Sequence, residues 1–201
     1  MIMYSIFPTA VAKFQLGRDY TAEEITFVDS QETLKNVSNT TSKDNYVLRH
    51  WALVNLKSFV EASITEYMHK VYAPKNEITL RVTQSWINYC KPGEGHHRHE
   101  HPNSFISGVL YVKASQERDK IYFYRSDYSQ ILLATENWNV HNSRSWYFEV
   151  GAGDLIVFPS SLTHMVAPVE ENRISLSFNT FPEGRLSNEI NLMALNLTGV
   201  G

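Results

Sequence analysis

The spacing of apolar positions changes near Pro74. From Tyr46 to Tyr72, the residues Leu48, Trp51, Ala52, Leu56, Phe59, Val60, Ile64, Tyr67, Met68 and Val71 recur at three- and four-residue steps. This predicts one long amphipathic helix whose apolar stripe must cover another layer. Beyond Pro74 the period falls to two, and turn residues separate short strands predicted at Ile78–Tyr89, Phe105–Lys113, Lys120–Tyr124, Ser145–Val150, Asp154–Phe158 and Arg173–Phe181. Upstream, Tyr4–Phe14 reads as a strand and Asp29–Asn45, rich in Ser, Thr and Asn, as an exposed connection. With no internal repeat and no Gly/Ser linker, residues 1–201 read as a single domain. The expected fold is mainly β with flanking helices: a jelly-roll (double-stranded β-helix) barrel with helices packed on its outer face.

Alternation assigns faces. In the first long strand, Ile78, Leu80, Val82, Gln84, Trp86 and Asn88 share one side, which places two amides among apolar groups if that side is interior. In the last, Ile174, Leu176 and Phe178 point one way, while Arg173, Ser175, Ser177 and Asn179 point the other. That polar side belongs either to an edge strand in water or to a polar cavity. A buried guanidinium remains charged and needs an anion, and a planar fork of donors beside a hydroxyl suits a carboxylate.

The chemistry is concentrated in His96-His97-Arg98-His99-Glu100-His101-Pro102, which holds four of the chain's eight histidines, and in His164 after the apolar run Leu155–Phe158. Histidines two apart on a strand project from one face about 6.5–7 Å apart, close enough to converge on an ion. His99 with His101 meets this condition, as does His97 with His99, and Glu100 falls on the opposite face. The other reading of the cluster is a solvated patch that binds metal weakly. His50 and His69 lie on the helix without a metal partner at suitable spacing.

Composition narrows the field. The single cysteine, Cys90, excludes a disulfide framework and a Cys-based zinc site, so a metal would be held by His, Asp, Glu or Asn, and a reducing, cytoplasmic location fits. A net charge of −3 gives no electrostatic reason to expect nucleic acid. No segment approaches the run of about 20 apolar residues that spans a bilayer, so no membrane partner is expected, and no signal peptide is evident at the start.

Taken together, His-x-His-Pro, Ser107-Gly108-Val109-Leu110-Tyr111-Val112, Gly153 to Ser160, His164 and Arg173-Ile174-Ser175-Leu176-Ser177-Phe178-Asn179 resemble the 2-oxoglutarate- and Fe(II)-dependent oxygenases, in particular a small, largely uncharacterised branch known from bacteria and their phages. The resemblance covers about residues 84–181. It implies an oxidoreductase that uses Fe(II), 2-oxoglutarate and dioxygen, with His99, His101 and His164 as the metal ligands. Arg173 and Ser175 would then grip the distal carboxylate of 2-oxoglutarate, with Tyr111 and Asn88 as further candidates in the same pocket. The chain departs from the family at His101, where a carboxylate usually completes the facial triad. Other registers, including His101 with Asn103, stay open.

Two further readings compete. A cupin-like three-histidine metalloenzyme without 2-oxoglutarate explains the imidazoles but gives no reason for Arg173 and Ser175. A non-catalytic jelly-roll binding protein would carry a histidine patch on its rim. Trp86, Trp138, Trp146, Tyr122, Tyr124, Tyr128 and Tyr147 either line a substrate cleft or form ordinary cross-strand pairs, and 125–144 reads as a polar loop of lid length. The substrate class, a small molecule or a protein side chain, is open, as is the oligomeric state, for which a homodimer is one option.

Overall fold

The structure, a computed structural model, describes residues 1–126, 131, 133–187, 190 and 193–197. Its strands are β1 (Ala12–Gln15), β2 (Thr33–Lys35), β3 (Thr40–Ser42), β4 (Ile78–Cys90), β5 (His96–His99), β6 (Ile106–Lys113), β7 (Lys120–Tyr124), β8 (Ser145–Glu149), β9 (Asp154–Pro159), β10 (His164–Val166), β11 (Arg173–Arg185) and β12 (Asn196–Leu197). The helices are α1 (Ala22–Asp29) and α2 (Val54–Val71). One sheet runs β1-β9-β6-β11-β4-β3-β2, with β12 on β11, and the other runs β5-β10-β7-β8. All ladders between named strands are antiparallel. The fold is the expected jelly-roll.

Two cores follow from strand alternation. Leu110 and Val112 of β6, Leu155 and Val157 of β9, and Leu176 and Phe178 of β11 meet Leu56, Val60, Ile64 and Tyr67 of α2 on the outer face of the large sheet. The intervening residues Val109, Tyr111, Ile156 and Phe158 face the second sheet, where Ile121 and Phe123 of β7 cover them. Strand β9 is therefore buried on both faces, which is why it reads as an unbroken apolar run. Gly108 lies on the outer side of β6, where an added Cβ would come within 2.4 Å of Phe178 Cζ and 3.1 Å of Ile156 O. Gly108→Ala is expected to destabilise the protein by about 1–3 kcal/mol through overpacking, read as a lower urea midpoint at constant slope.

Four expectations change. The strand predicted over Tyr4–Phe14 is confined to β1, because only its four residues find partners on β9; residues 1–9 are exposed and pass through Phe7 at φ 56°, while Ala10 and Val11 pack against the two cores. The long helix begins only at Val54. Val47–Arg49 and Trp51–Leu53 form short 3-10 turns separated by His50, which is extended and whose Nδ1 accepts from Ala52 N. Val47, Leu48 and Leu53 are nevertheless buried, so helical and non-helical segments share one apolar stripe. The stretch 29–45 is more than a connection, since β2 and β3 form a hairpin that extends the large sheet beside β4 and buries Asn39.

The fourth change affects the site. Register between β4 and β11 shifts by one at Thr83, a β-bulge in which Asn179 pairs with Gln84 but Thr180 with Val82. Ile78, Leu80 and Val82 consequently pack on the outer core, whereas Trp86 and Asn88, in phase with them by sequence, line a cavity between the sheets. The outer core is continued beyond the bulge by Ile87 and Tyr89. No helix among the described residues is long and apolar enough to cross a membrane.

Candidate metal and cosubstrate centre

The cavity between the sheets is lined by residues from both: Trp86 and Asn88 (β4), Tyr111 (β6), Arg173, Ser175 and Ser177 (β11), His96 and His99 (β5), and His164 (β10), with His101 at its rim. His99 and His164 are direct cross-strand partners, which sets their ring centroids 4.3 Å apart. His101 lies just past the end of β5, anchored by its N–H to Ser160 O at 2.9 Å. Its ring stands 4.9 Å from that of His99 and 5.1 Å from that of His164. Each of the three offers a nitrogen within 4.8 Å of the other two.

Beneath His101, the Ser160 hydroxyl meets those of Ser104 at 2.7 Å and Ser107 at 2.8 Å, and Ser107 donates to Asn179 Oδ1. This buried network ties the loop carrying His101 to β6, β9 and β11. The backbone also selects tautomers. His99 Nδ1 donates to His97 O at 2.7 Å and His164 Nδ1 to Leu162 O at 3.0 Å. A carbonyl can only accept, so Nδ1 carries the proton in both rings and Nε2 keeps a free lone pair. Burial, reinforced by the neighbouring imidazoles, pushes His164 down to about 3 and His101 to about 4, and burial lowers His99 as well. The trio is neutral at pH 7, as metal ligands must be.

Arg173 enters the same cavity from the first residue of β11 and is 3% exposed, which removes the solvent-edge reading of this strand face. Its Nη1 donates to Lys120 O at 3.2 Å and lies 4.0 Å from Asp119 Oδ1, while Asp119 Oδ2 accepts from Ser115 N at 2.7 Å. Tyr111 lies under the guanidinium, with Arg173 Cζ 4.8 Å from the ring centroid. The Tyr111 hydroxyl is fully buried with no hydrogen-bond partner, and burial pushes it up to about 12, so it is a standing donor. Ser175 and Ser177 complete the polar wall.

The structure brings His99, His101, His164, Arg173, Ser175, Tyr111 and Asn88 to one cavity. Asn88 is the most constrained of them: its Oδ1 accepts from Asn39 Nδ2 at 3.3 Å and its Nδ2 donates to Ser177 Oγ at 2.9 Å, so both ends are engaged by the protein. Glu100 and Asn103 are exposed, the latter in a left-handed turn at φ 58°. Among the aromatics, Trp86 lines the cavity, Tyr122 and Tyr147 form a cross-strand pair, and Trp138 is exposed; Tyr128 lies outside the described residues. Sequence reasoning missed Asp119, since nothing in its local pattern marks it as a neighbour of Arg173. His96, which belongs to neither of the two-apart pairs in the sequence, is turned into the cavity wall by a one-residue register shift between β5 and β10.

Comparisons with known proteins agree with this geometry. Residues 84–179 match the family model described as "Putative 2OG-Fe(II) oxygenase". The matched segment runs from the β4 bulge to its partner on β11 and contains every residue of the cavity named above. Among solved structures, a prolyl hydroxylase from Trichoplax adhaerens, in complex with a hypoxia inducible factor peptide fragment, is 18% identical at a TM-score of 0.58, over 85% of this chain and 83% of that one. HygX from Streptomyces hygroscopicus, with nickel, 2-oxoglutarate and hygromycin B bound, is 12% identical at a TM-score of 0.58, over 86% and 82%. A Pseudomonas putida prolyl-4-hydroxylase is 14% identical at a TM-score of 0.53, over 85% and 92%. At these identities the likeness is one of fold. Comparison with curated proteins gives no match. The segment that holds the chain's histidines and its buried arginine, just under half of the chain, is thus similar to the 2-oxoglutarate- and Fe(II)-dependent oxygenases.

Proposed function

We propose that the protein is a dioxygenase that hydroxylates a small molecule or a protein side chain while 2-oxoglutarate is decarboxylated to succinate. The observation that carries this reading is one cavity with two complementary halves: three neutral imidazoles on one wall, and a buried guanidinium beside an unpartnered tyrosine hydroxyl on the other. His99, His101 and His164 would hold Fe(II), a donor set that suits a borderline divalent ion. When bound, the ion and 2-oxoglutarate supply the two-electron activation of dioxygen by which an unreactive C–H bond is hydroxylated.

The remaining work falls to the chain. Arg173 takes the distal carboxylate of 2-oxoglutarate, with the hydroxyls of Ser175 and Tyr111 donating to it, and Asp119 with Lys120 O holds the guanidinium in position. Asn88 shapes the wall through its bonds to Asn39 and Ser177. Three neutral ligands cancel none of the ion's charge, so the dianionic cosubstrate contributes the negative charge that a ligand carboxylate would otherwise provide. A cytoplasmic setting suits ferrous iron and the free thiol of buried Cys90.

The three-histidine trio also favours a cupin-like enzyme that does not use 2-oxoglutarate, but that reading leaves Arg173 and the Tyr111 hydroxyl without a task. Thermal unfolding with Mn(II) as a redox-silent stand-in separates the two. The oxygenase reading expects 2-oxoglutarate to raise the melting temperature strongly only when Mn(II) is present. Stabilisation by Mn(II) that 2-oxoglutarate leaves unchanged would contradict it.

A further inference from the structure

Two of the four clustered histidines, His96 and His97, remain outside the trio assigned above. The register shift between His164↔His99 and Val166↔His96 inserts an extra residue into β5, so His96 and His99, three apart in sequence, come to the same side of the strand. Their rings stack at 4.4 Å with 21° between planes. His97 is exposed, with its ring 5.1 Å from that of His96 and 5.0 Å from that of His99. These three residues also offer nitrogens that all lie within 4.8 Å of one another. The cluster thus contains two overlapping trios, an inner one closed by His101 and His164 and an outer one closed by His96 and His97, with His99 common to both.

We propose that His96, His97 and His99 form a second, outer binding position for a divalent transition ion such as Co(II), Ni(II) or Zn(II). Imidazole nitrogens suit these ions, and without a carboxylate the trio has little affinity for Mg(II) or Ca(II). Because His99 Nδ1 is committed to His97 O, only its Nε2 can ligate, and the ring cannot bridge two ions. The inner and outer positions are therefore alternatives for a single ion. His97 stands at the protein surface and His164 is 4% exposed, so the outer position lies on the solvent side of the inner one, and an ion can pass between them while one ligand, His99, stays at hand.

The inference rests on the reading of the inner trio as the iron site, and equilibrium Co(II) titration, followed by absorption in the d–d region, tests the two separately. His97→Ala alone is expected to leave Co(II) affinity within about twofold of the parent, since the inner trio is intact. In a His101→Ala background, where the outer position is the only complete trio, the same substitution is expected to weaken binding by about tenfold or more and to change the spectrum. Should His101→Ala unfold the chain, His164→Gln supplies an alternative background lacking an inner ligand. No effect of His97→Ala in the His101→Ala background overturns the outer site and leaves the inner one standing. Loss of binding from His97→Ala alone, with His101→Ala unaffected, would instead sink the reading of the inner trio.

Discussion

Arg173→Ala will abolish 2-oxoglutarate binding while leaving divalent metal binding within about twofold of the parent. The guanidinium sits in a site where its only anionic partner among the described residues is Asp119, at 4.0 Å, and where Lys120 O uses a single N–H. Most of its donor fork is free to meet a carboxylate, and a hydrogen bond to a charged group contributes roughly 1.5–3 kcal/mol. Two such bonds correspond to roughly two to four orders of magnitude in affinity. Arg173→Lys will recover little of this, because an ammonium on a flexible stem cannot present two parallel donors. Calorimetric titration of 2-oxoglutarate into the Mn(II)-loaded variants reads the effect directly. Parallel loss of metal and cosubstrate would mean that Arg173 only supports the barrel, with Asp119 as its structural partner.

The second large effect is expected at His164. Its ring is buried against Phe158 at 4.7 Å, its Nδ1 is fixed on Leu162 O, and its strand partner is His99, so of the three histidines proposed as ligands it has the least freedom to be replaced. His164→Ala should weaken Co(II) or Fe(II) binding by more than the roughly 10–100-fold that loss of an outer partner costs, leaving at most the weak outer position, and should abolish turnover. Equilibrium dialysis with metal analysis measures this. A variant that keeps a full equivalent of tightly held ion would exclude His164 as a ligand. His101→Asp offers a contrasting case, since it restores the carboxylate usual at this position of a facial triad and should retain metal.

How much of this could be read from the chain differs from element to element. Regular alternation carries register without ambiguity, so the sequence pattern yields β7 with its observed bounds and both faces of β11 as they stand. The irregular places were silent. The Thr83 bulge reverses the faces of β4, so Ile78 and Asn88, in phase by sequence, end on opposite sides of the sheet. The β5 irregularity has the same consequence for His96. Local alternation cannot reveal a bulge, which is fixed by the partner strand.

The site divides along the same line. The histidines and Arg173 were visible because clustered imidazoles and a charged residue on a core strand are unusual. Asp119 is held by a turn to Ser115 and approaches Arg173 across 54 residues of sequence, a contact that only the closed barrel creates. The 3-10 turns before α2 hid for another reason: Val47, Leu48 and Leu53 fill the same core as the helix, so burial continued where helical hydrogen bonding did not.

The central claim is that one cavity holds ferrous iron and 2-oxoglutarate together, and anaerobic visible absorption tests it most directly. Fe(II) and 2-oxoglutarate added together should produce a weak metal-to-ligand charge-transfer band that neither gives alone, and that is absent in Arg173→Ala and His164→Ala. A parent protein that binds Fe(II) yet shows no such band at saturating 2-oxoglutarate would contradict the account.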